Sequence, residues 1–180
     1  MDPVKILTQA AGGKERPRSK ELVAALLALE KQARRNRSPW NLERLQGLWR
    51  LRFVTGKARS QGGFYLPGLL QVTIHYQAET ADTGRVENSV ACGPLELQVT
   101  GPIRLYAARG ILAFDFTQVQ LKLLTRLLYG GSLRGGPASE REFARTSLAQ
   151  QAFFSYFWTS PQAIAARGRG GGLALWSRAD

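Results

Sequence analysis

The sequence predicts a mainly β fold: an antiparallel barrel of about eight to nine strands carrying an N-terminal α-helical segment. Three observations predict it. From Gly47 onward, short runs alternate apolar and polar residues, the two-residue period of a strand with one buried face. Turn signals separate these runs at short intervals: Gly84, Gly93-Pro94, Gly101-Pro102, Arg109-Gly110 and the glycines at 168–172. A leucine stripe with helical spacing is confined to residues 20–35, ahead of the first strand. Residues 1–40 are read as a helical segment packing on the barrel and 41–180 as the barrel.

Residues 2–11 suit a short helix, and Gly12–Arg18, with paired glycines and Pro17, a linker. Ser19 is a natural N-cap for a helix from Lys20 to Arg35, in which Leu22, Leu26, Leu29 and Ala33 recur at three and four residues. Glu21 in its first turn and Arg34 and Arg35 in its last complement the helix dipole. The stripe reads as a docking face on the outside or mouth of the barrel.

Gly47–Val54 is the opening strand, with Trp49, Leu51 and Phe53 expected on one face and Arg50 and Arg52 on the other. Its Gly-x-Trp start suggests an indole closing one barrel end, with Arg167 or Arg178 stacked on it. Gly56–Gly63 reads as a basic loop and Phe64–Gly68 as an apolar one. Leu70–Gln77 places Val72, Ile74 and Tyr76 together, and Arg85–Cys92 is its return strand. Leu95–Thr100 and Ile103–Ala107 are strands broken at Gly101-Pro102. Ile111–Thr117 groups Leu112, Phe114 and Phe116. Gln118–Tyr129 fits both periods and is read as a strand running into a loop. Gly130–Pro137 reads as a loop and Glu140–Ala149 as a short helix or irregular segment. Ala152–Thr159 is apolar on both faces, and 162–167 and 172–178 close the chain as a hairpin.

Enzyme chemistry finds little support, and the chain is read as a non-enzyme with no catalytic residues, metal site or cofactor. One His and one Cys cannot form a His/Cys zinc cluster. His75 and Cys92 are expected on different faces. Asp115 reads as a solvated or salt-bridged carboxylate. The Gly168 cluster has Leu173 where a dinucleotide fingerprint needs glycine, and no Lys-Ser/Thr follows it. The Arg/Gly run there reads as a hairpin turn, so nucleic acid is not an expected partner. No apolar run reaches the length of a membrane-spanning helix, and the start shows neither a secretion signal nor a transit peptide.

Charge is informative. The net charge is +12, and residues 1–60 carry 14 Lys/Arg against 5 Asp/Glu. Such a basic third suits an anionic membrane surface. The expected membrane-facing residues are Arg16, Arg18, Lys20, Arg34, Arg35 and Arg37, with Phe64, Tyr65 and Leu66 as an apolar loop. The expected interior, as packed core or as the lining of a ligand cavity, is Trp49, Leu51, Phe53, Val72, Ile74, Tyr76, Phe114, Phe116, Phe154 and Tyr156.

The order of these features resembles the plastid lipid-associated protein, or fibrillin (plastoglobulin), family. The matching pieces are the Leu-striped helix, Leu45-Gln46-Gly47-Leu48-Trp49-Arg50-Leu51 followed by Phe53-Val54-Thr55, the strand pair in Leu70–Cys92, and the ending Arg167-Gly168-x-Gly170-Gly171-Gly172 with its last strand to Trp176. The likeness spans roughly residues 20–178. It implies a lipocalin-like barrel binding a lipid, prenylquinone or carotenoid at or near thylakoid membranes, with a structural or photoprotective role. The chain departs from the plant pattern in being strongly basic, and the missing leader and compact Arg/Leu-rich composition suit a cyanobacterial-type member, cytoplasmic and peripheral to the thylakoid. Two other readings compete: a bilin chromophore lyase on a similar barrel, which would need polar groups inside, and a fully packed barrel that only binds protein partners.

Overall fold

The computed structural model describes residues 2–13, 16–36, 38–56 and 62–179. Its strands are β1 (Gly47–Thr55), β2 (Gly63–Tyr65), β3 (Leu70–Ala78), β4 (Thr83–Cys92), β5 (Leu95–Tyr106), β6 (Ile111–Phe114), β7 (Gln118–Leu123), β8 (Arg126–Ser132), β9 (Ala152–Thr159), β10 (Ala163–Gly168) and β11 (Leu173–Arg178). The helices are α1 (Pro3–Gly12), α2 (Ser19–Arg35) and α3 (Pro137–Phe143). The fold is mainly β, as expected. Eight strands close a barrel in the order β1-β3-β4-β5-β6-β9-β10-β11, and β11 pairs back onto β1. Every pairing is antiparallel, and closure leaves these strands without free edges. The other three strands hang from the ring. β2 extends the end of β1, β7 pairs with the first half of β5, and β8 pairs with β7.

The barrel has two cores, one on each side of its wall. Inside, Trp49, Ile74, Tyr76, Val86, Ile103, Leu112, Tyr156, Ile164 and Trp176 belong to one buried cluster. Outside, α1 and α2 form a helical hairpin whose Leu7, Leu22, Leu26 and Leu29 bury against the wall. α2 starts against β2 and ends against β9, so it crosses the strands rather than following one. The leucine stripe therefore docks on the outside. The helix begins at Ser19 itself, with Arg18 in the capping position and its backbone N–H donating to Glu21.

Two bulges make the second core possible. β1 shifts register between Leu51 and Phe53 against β11. Trp49 and Leu51 point inward, but Phe53 joins the cluster beneath the helices, with Leu175 opposite it. Strict alternation placed Phe53 inside, and the extra residue of the bulge reverses it. The β9–β10 pairing shifts likewise between Ala165 and Ala166. Phe154 and Tyr156 face the interior, while Phe157 and Trp158 pack against the helices. The two-sided apolar character of β9 serves both cores.

Three expected breaks behave differently. β5 runs unbroken through Gly101-Pro102. There its free edge changes partner from β7 to β6, and the chain crosses so closely that a Cβ on Gly101 would strike the Asp115 carbonyl oxygen. The glycine admits a crossing rather than a break. The 118–129 stretch is not strand into loop but the β7–β8 hairpin, which turns at Leu124 with φ +55°. Phe64 and Tyr65 belong to β2 rather than to a loop. Most of the basic loop expected over Gly56–Gly63, residues 57–61, lies outside the described residues.

Candidate functional site: one sealed and one open barrel end

The end of the barrel at Gly47 is sealed. The Trp49 indole is buried, and its N–H donates to the Leu45 carbonyl at 2.6 Å. The Arg178 guanidinium stacks on the indole, 4.5 Å from the ring centroid, and donates to the Gln46 carbonyl. Gly47 has φ +110°, and a Cβ there would collide with that guanidinium. The glycine of Gly-x-Trp thus leaves room for the arginine that covers the tryptophan. Of the two arginines expected there, Arg178 does the stacking. Arg167 is instead bidentate to Glu30 of α2, at 2.6 and 2.5 Å, and clasps the helix to β10.

Above the seal, the interior holds a hydrogen-bonded pair of buried phenols. The Tyr76 and Tyr156 hydroxyls lie 2.8 Å apart. Burial pushes both phenols well above the usual tyrosine range, so they stay protonated. Tyr76→Phe is expected to cost about 1–2 kcal/mol, because Tyr156 keeps a buried hydroxyl without its partner. The Tyr76→Phe/Tyr156→Phe double variant should recover part of that loss. Urea unfolding of the three variants checks it.

The other end is open. Paired residues form rungs that cross from the barrel into the projecting hairpin. Deepest are Ile74, Asn88, Val99 and Val119. Next come Val72, Val90, Leu97, Leu121 and Tyr129, and outermost Leu70, Cys92, Leu95, Leu123 and Arg126. Burial falls along this series. Ile74 is buried, Val72 and Val99 are half-buried, and Val90, Leu97, Leu95 and Leu123 are exposed. At the hairpin tip Leu124 is 72% exposed, with Leu127, Leu128 and Tyr129 each above 50%. Phe64 and Leu69 add exposed apolar surface beside this end. The inner face of the barrel therefore continues as a mostly apolar surface onto an open wall of β4, β5, β7 and β8, with the exposed Arg126 at its rim. Asn88 is the polar residue deeper in, and its Oδ1 is buried with no hydrogen-bond partner among the described residues.

The expected site residues distribute as follows. Trp49, Ile74, Tyr76, Phe114 and Tyr156 are buried in the inner cluster. Leu51, Phe116 and Phe154 pack against it half-buried, and Val72 shares the inner face nearer the opening. Phe53 alone of that set lies outside. Among the expected membrane-facing residues, Arg16, Arg18, Lys20, Arg34 and Arg35 are exposed, but they do not form one surface. Lys20 and Arg35 are separated by nearly the whole of α2, about 20 Å at 1.5 Å per residue. Arg34 is paired with Glu30 at 3.0 Å. Arg37 lies outside the described residues. Phe64 is exposed, Leu66 is half-buried, and Tyr65 faces the helices, with its ring edge on Phe53 and its hydroxyl donating to the Pro17 carbonyl at 2.9 Å.

Polar groups that could have served chemistry are engaged elsewhere. His75 lies on the outer face of β3, and Cys92 on the inner face at the open end. Asp115 accepts from Arg134 and Ser139 and so fastens the segment after β8 to the barrel. Arg52 donates to Ser177 and Arg104 to the Ala144 carbonyl, both outside the barrel.

No family model matches the chain, and no curated protein matches it. Among solved structures, a redesigned beta barrel is similar at 11% identity, over 77% of this chain and 95% of that one, with a TM-score of 0.39. The barrel described above stands on its own strand pairings.

Proposed function

We propose that this barrel takes up a hydrophobic molecule through its open end while that end rests on an anionic membrane. The observation that carries the reading is the largely apolar face from Ile74 through Val72 and Leu97 to Leu121, Leu123 and Tyr129 of the β7–β8 hairpin. A soluble monomer rarely leaves so large a contiguous apolar surface to water. A bilayer would cover it and give a hydrophobic molecule a water-free path to the interior. The net charge of +12 favours an anionic surface. Asn88 Oδ1 would accept a hydrogen bond from a ligand hydroxyl or N–H. The resemblance to the plastid lipid-associated proteins supports the same reading and adds its expectations: a lipid, prenylquinone or carotenoid, held at or near thylakoids.

Native mass spectrometry and solvent extraction of the purified protein test the reading. A bound hydrophobic molecule is expected. A clean apo mass, with no vesicle flotation, removes it. The Leu97→Glu/Leu123→Glu double variant should lose flotation with anionic vesicles while its melting temperature holds, because both side chains are exposed on that face. Binding to anionic vesicles should weaken as salt is added. Equal binding to neutral vesicles at high salt would remove the electrostatic part.

A further inference from the structure

A second concavity lies outside the barrel. It has a volume of about 690 Å³ and is bounded by the end of α2, by Asn36, Ser38, Trp40 and Arg44 on the way into β1, by the turn at 108–109, and by β9. That volume falls within the range of small-molecule sites. Its cations are Arg34, Arg44 and Arg109. Its carboxylate is Glu30, already held by Arg34 and by the bidentate Arg167. Arg44 and Arg109 form no salt bridge among the described residues and are exposed. The apolar part of the wall includes two half-buried indoles, Trp40 and Trp158, and Leu29. Trp40 is fixed in place: its backbone N–H donates to Ala107 at 3.0 Å and its ring packs 6.0 Å from that of Tyr156. Ser155 and Thr159 of β9 add hydroxyls.

We infer that this cleft binds a small organic anion, a molecule with one carboxylate, sulfonate or phosphate on an aromatic or acyl body. Guanidinium groups recognise such oxyanions by paired, charge-assisted hydrogen bonds. The indole faces and Leu29 would take the apolar body. The group of arginines here differs from the open end, whose inner face is mostly leucine and valine with Arg126 at its rim. The two sites therefore select different ligands, and this inference does not rest on the function proposed above.

The test uses two fluorescent probes of similar shape: anilinonaphthalene sulfonate, an anion, and phenylnaphthylamine, which is neutral. The full chain is compared with an Arg44→Glu/Arg109→Glu variant and with Leu97→Glu, which alters only the open end. The sulfonate should lose affinity by roughly ten-fold or more in the arginine variant, the scale of one lost charge-assisted hydrogen bond. Phenylnaphthylamine should be unaffected by it, and Leu97→Glu should leave the sulfonate component intact. Laurate should displace the sulfonate, and inorganic phosphate at the same concentration should not. An unchanged sulfonate isotherm in the arginine variant, or equal losses for both probes, would overturn the inference. Displacement by phosphate alone would also overturn it, since the apolar wall would then contribute nothing. Both arginines are on the surface, and an unchanged melting temperature confirms that the variant is folded.

Discussion

Trp49→Ala is expected to destabilise the protein by about 3–5 kcal/mol, the cost of emptying a fully buried indole site. The loss has three parts. The indole packs with the lower half of the inner cluster, its N–H satisfies the Leu45 carbonyl, and its face carries the Arg178 guanidinium. Arg178→Ala should cost less, because that side chain is exposed and still leaves Trp49 packed from within. The two should not add: once the indole is gone, Arg178 has no ring to cover. Chemical denaturation of the single and double variants measures the coupling. A loss below ~1 kcal/mol for Trp49→Ala would show that the indole is not the seal of this barrel end.

The second large effect is expected at Glu30. This carboxylate is buried between α2 and β10 and is held below the ordinary carboxylate value of 4.5, chiefly by the hydrogen bond from Arg167 and further by the charge of Arg34. Removing it as Glu30→Ala leaves the Arg167 guanidinium, itself largely buried, without its partner, and should cost ~3 kcal/mol. The pH dependence has a definite sign. A carboxyl group whose value falls on folding adds stability above its unfolded value, and that stability is lost as the pH drops through its folded value. Wild-type stability should therefore decline below about pH 4.5 and continue to fall as Glu30 protonates. Glu30→Ala should show a shallower decline. Glu140, lowered mainly by Arg85, contributes in the same direction but is more exposed, so the acid sensitivity does not vanish in that variant. Urea midpoints at pH 7, 5 and 3 separate the two. An identical acid slope in wild type and variant would show that the Glu30–Arg167 clasp does not couple helix docking to the barrel.

Where one face of a strand meets the core and the other meets water, alternation placed the residues correctly. Ile74, Tyr76 and Phe114 all follow it, and so do Trp49 and Leu51 up to the bulge. It failed where both faces are apolar, because a bulge there leaves no trace in hydrophobicity. Phe53 and Trp158 look like continuations of an inward row, yet one inserted residue turns each toward the helices. The β7–β8 hairpin was obscure for a different reason. Leu123-Leu124-Thr125-Arg126-Leu127-Leu128 satisfies helical and strand periods alike, and its turn lacks glycine, using Leu124 with positive φ instead. Gly101-Pro102 has the composition of a break and the role of a junction. The outer cleft had no local signature, since it assembles from four segments that meet only in three dimensions. The Gly47–Trp49–Arg178 seal was half legible. The short motif and a candidate arginine were visible, but the reason for the glycine lies 131 positions away along the chain.

That separation bears on how the molecule is made. The β1–β11 pairing joins the first barrel strand to the last, so the ring cannot close until β11 has been synthesised. Until then β1 and β10 each present a strand edge that will later be paired, and the indole of Trp49 lacks its cover. The nascent chain is therefore most open to misassembly late in translation, and its slowest step should be ring closure rather than formation of the helical hairpin.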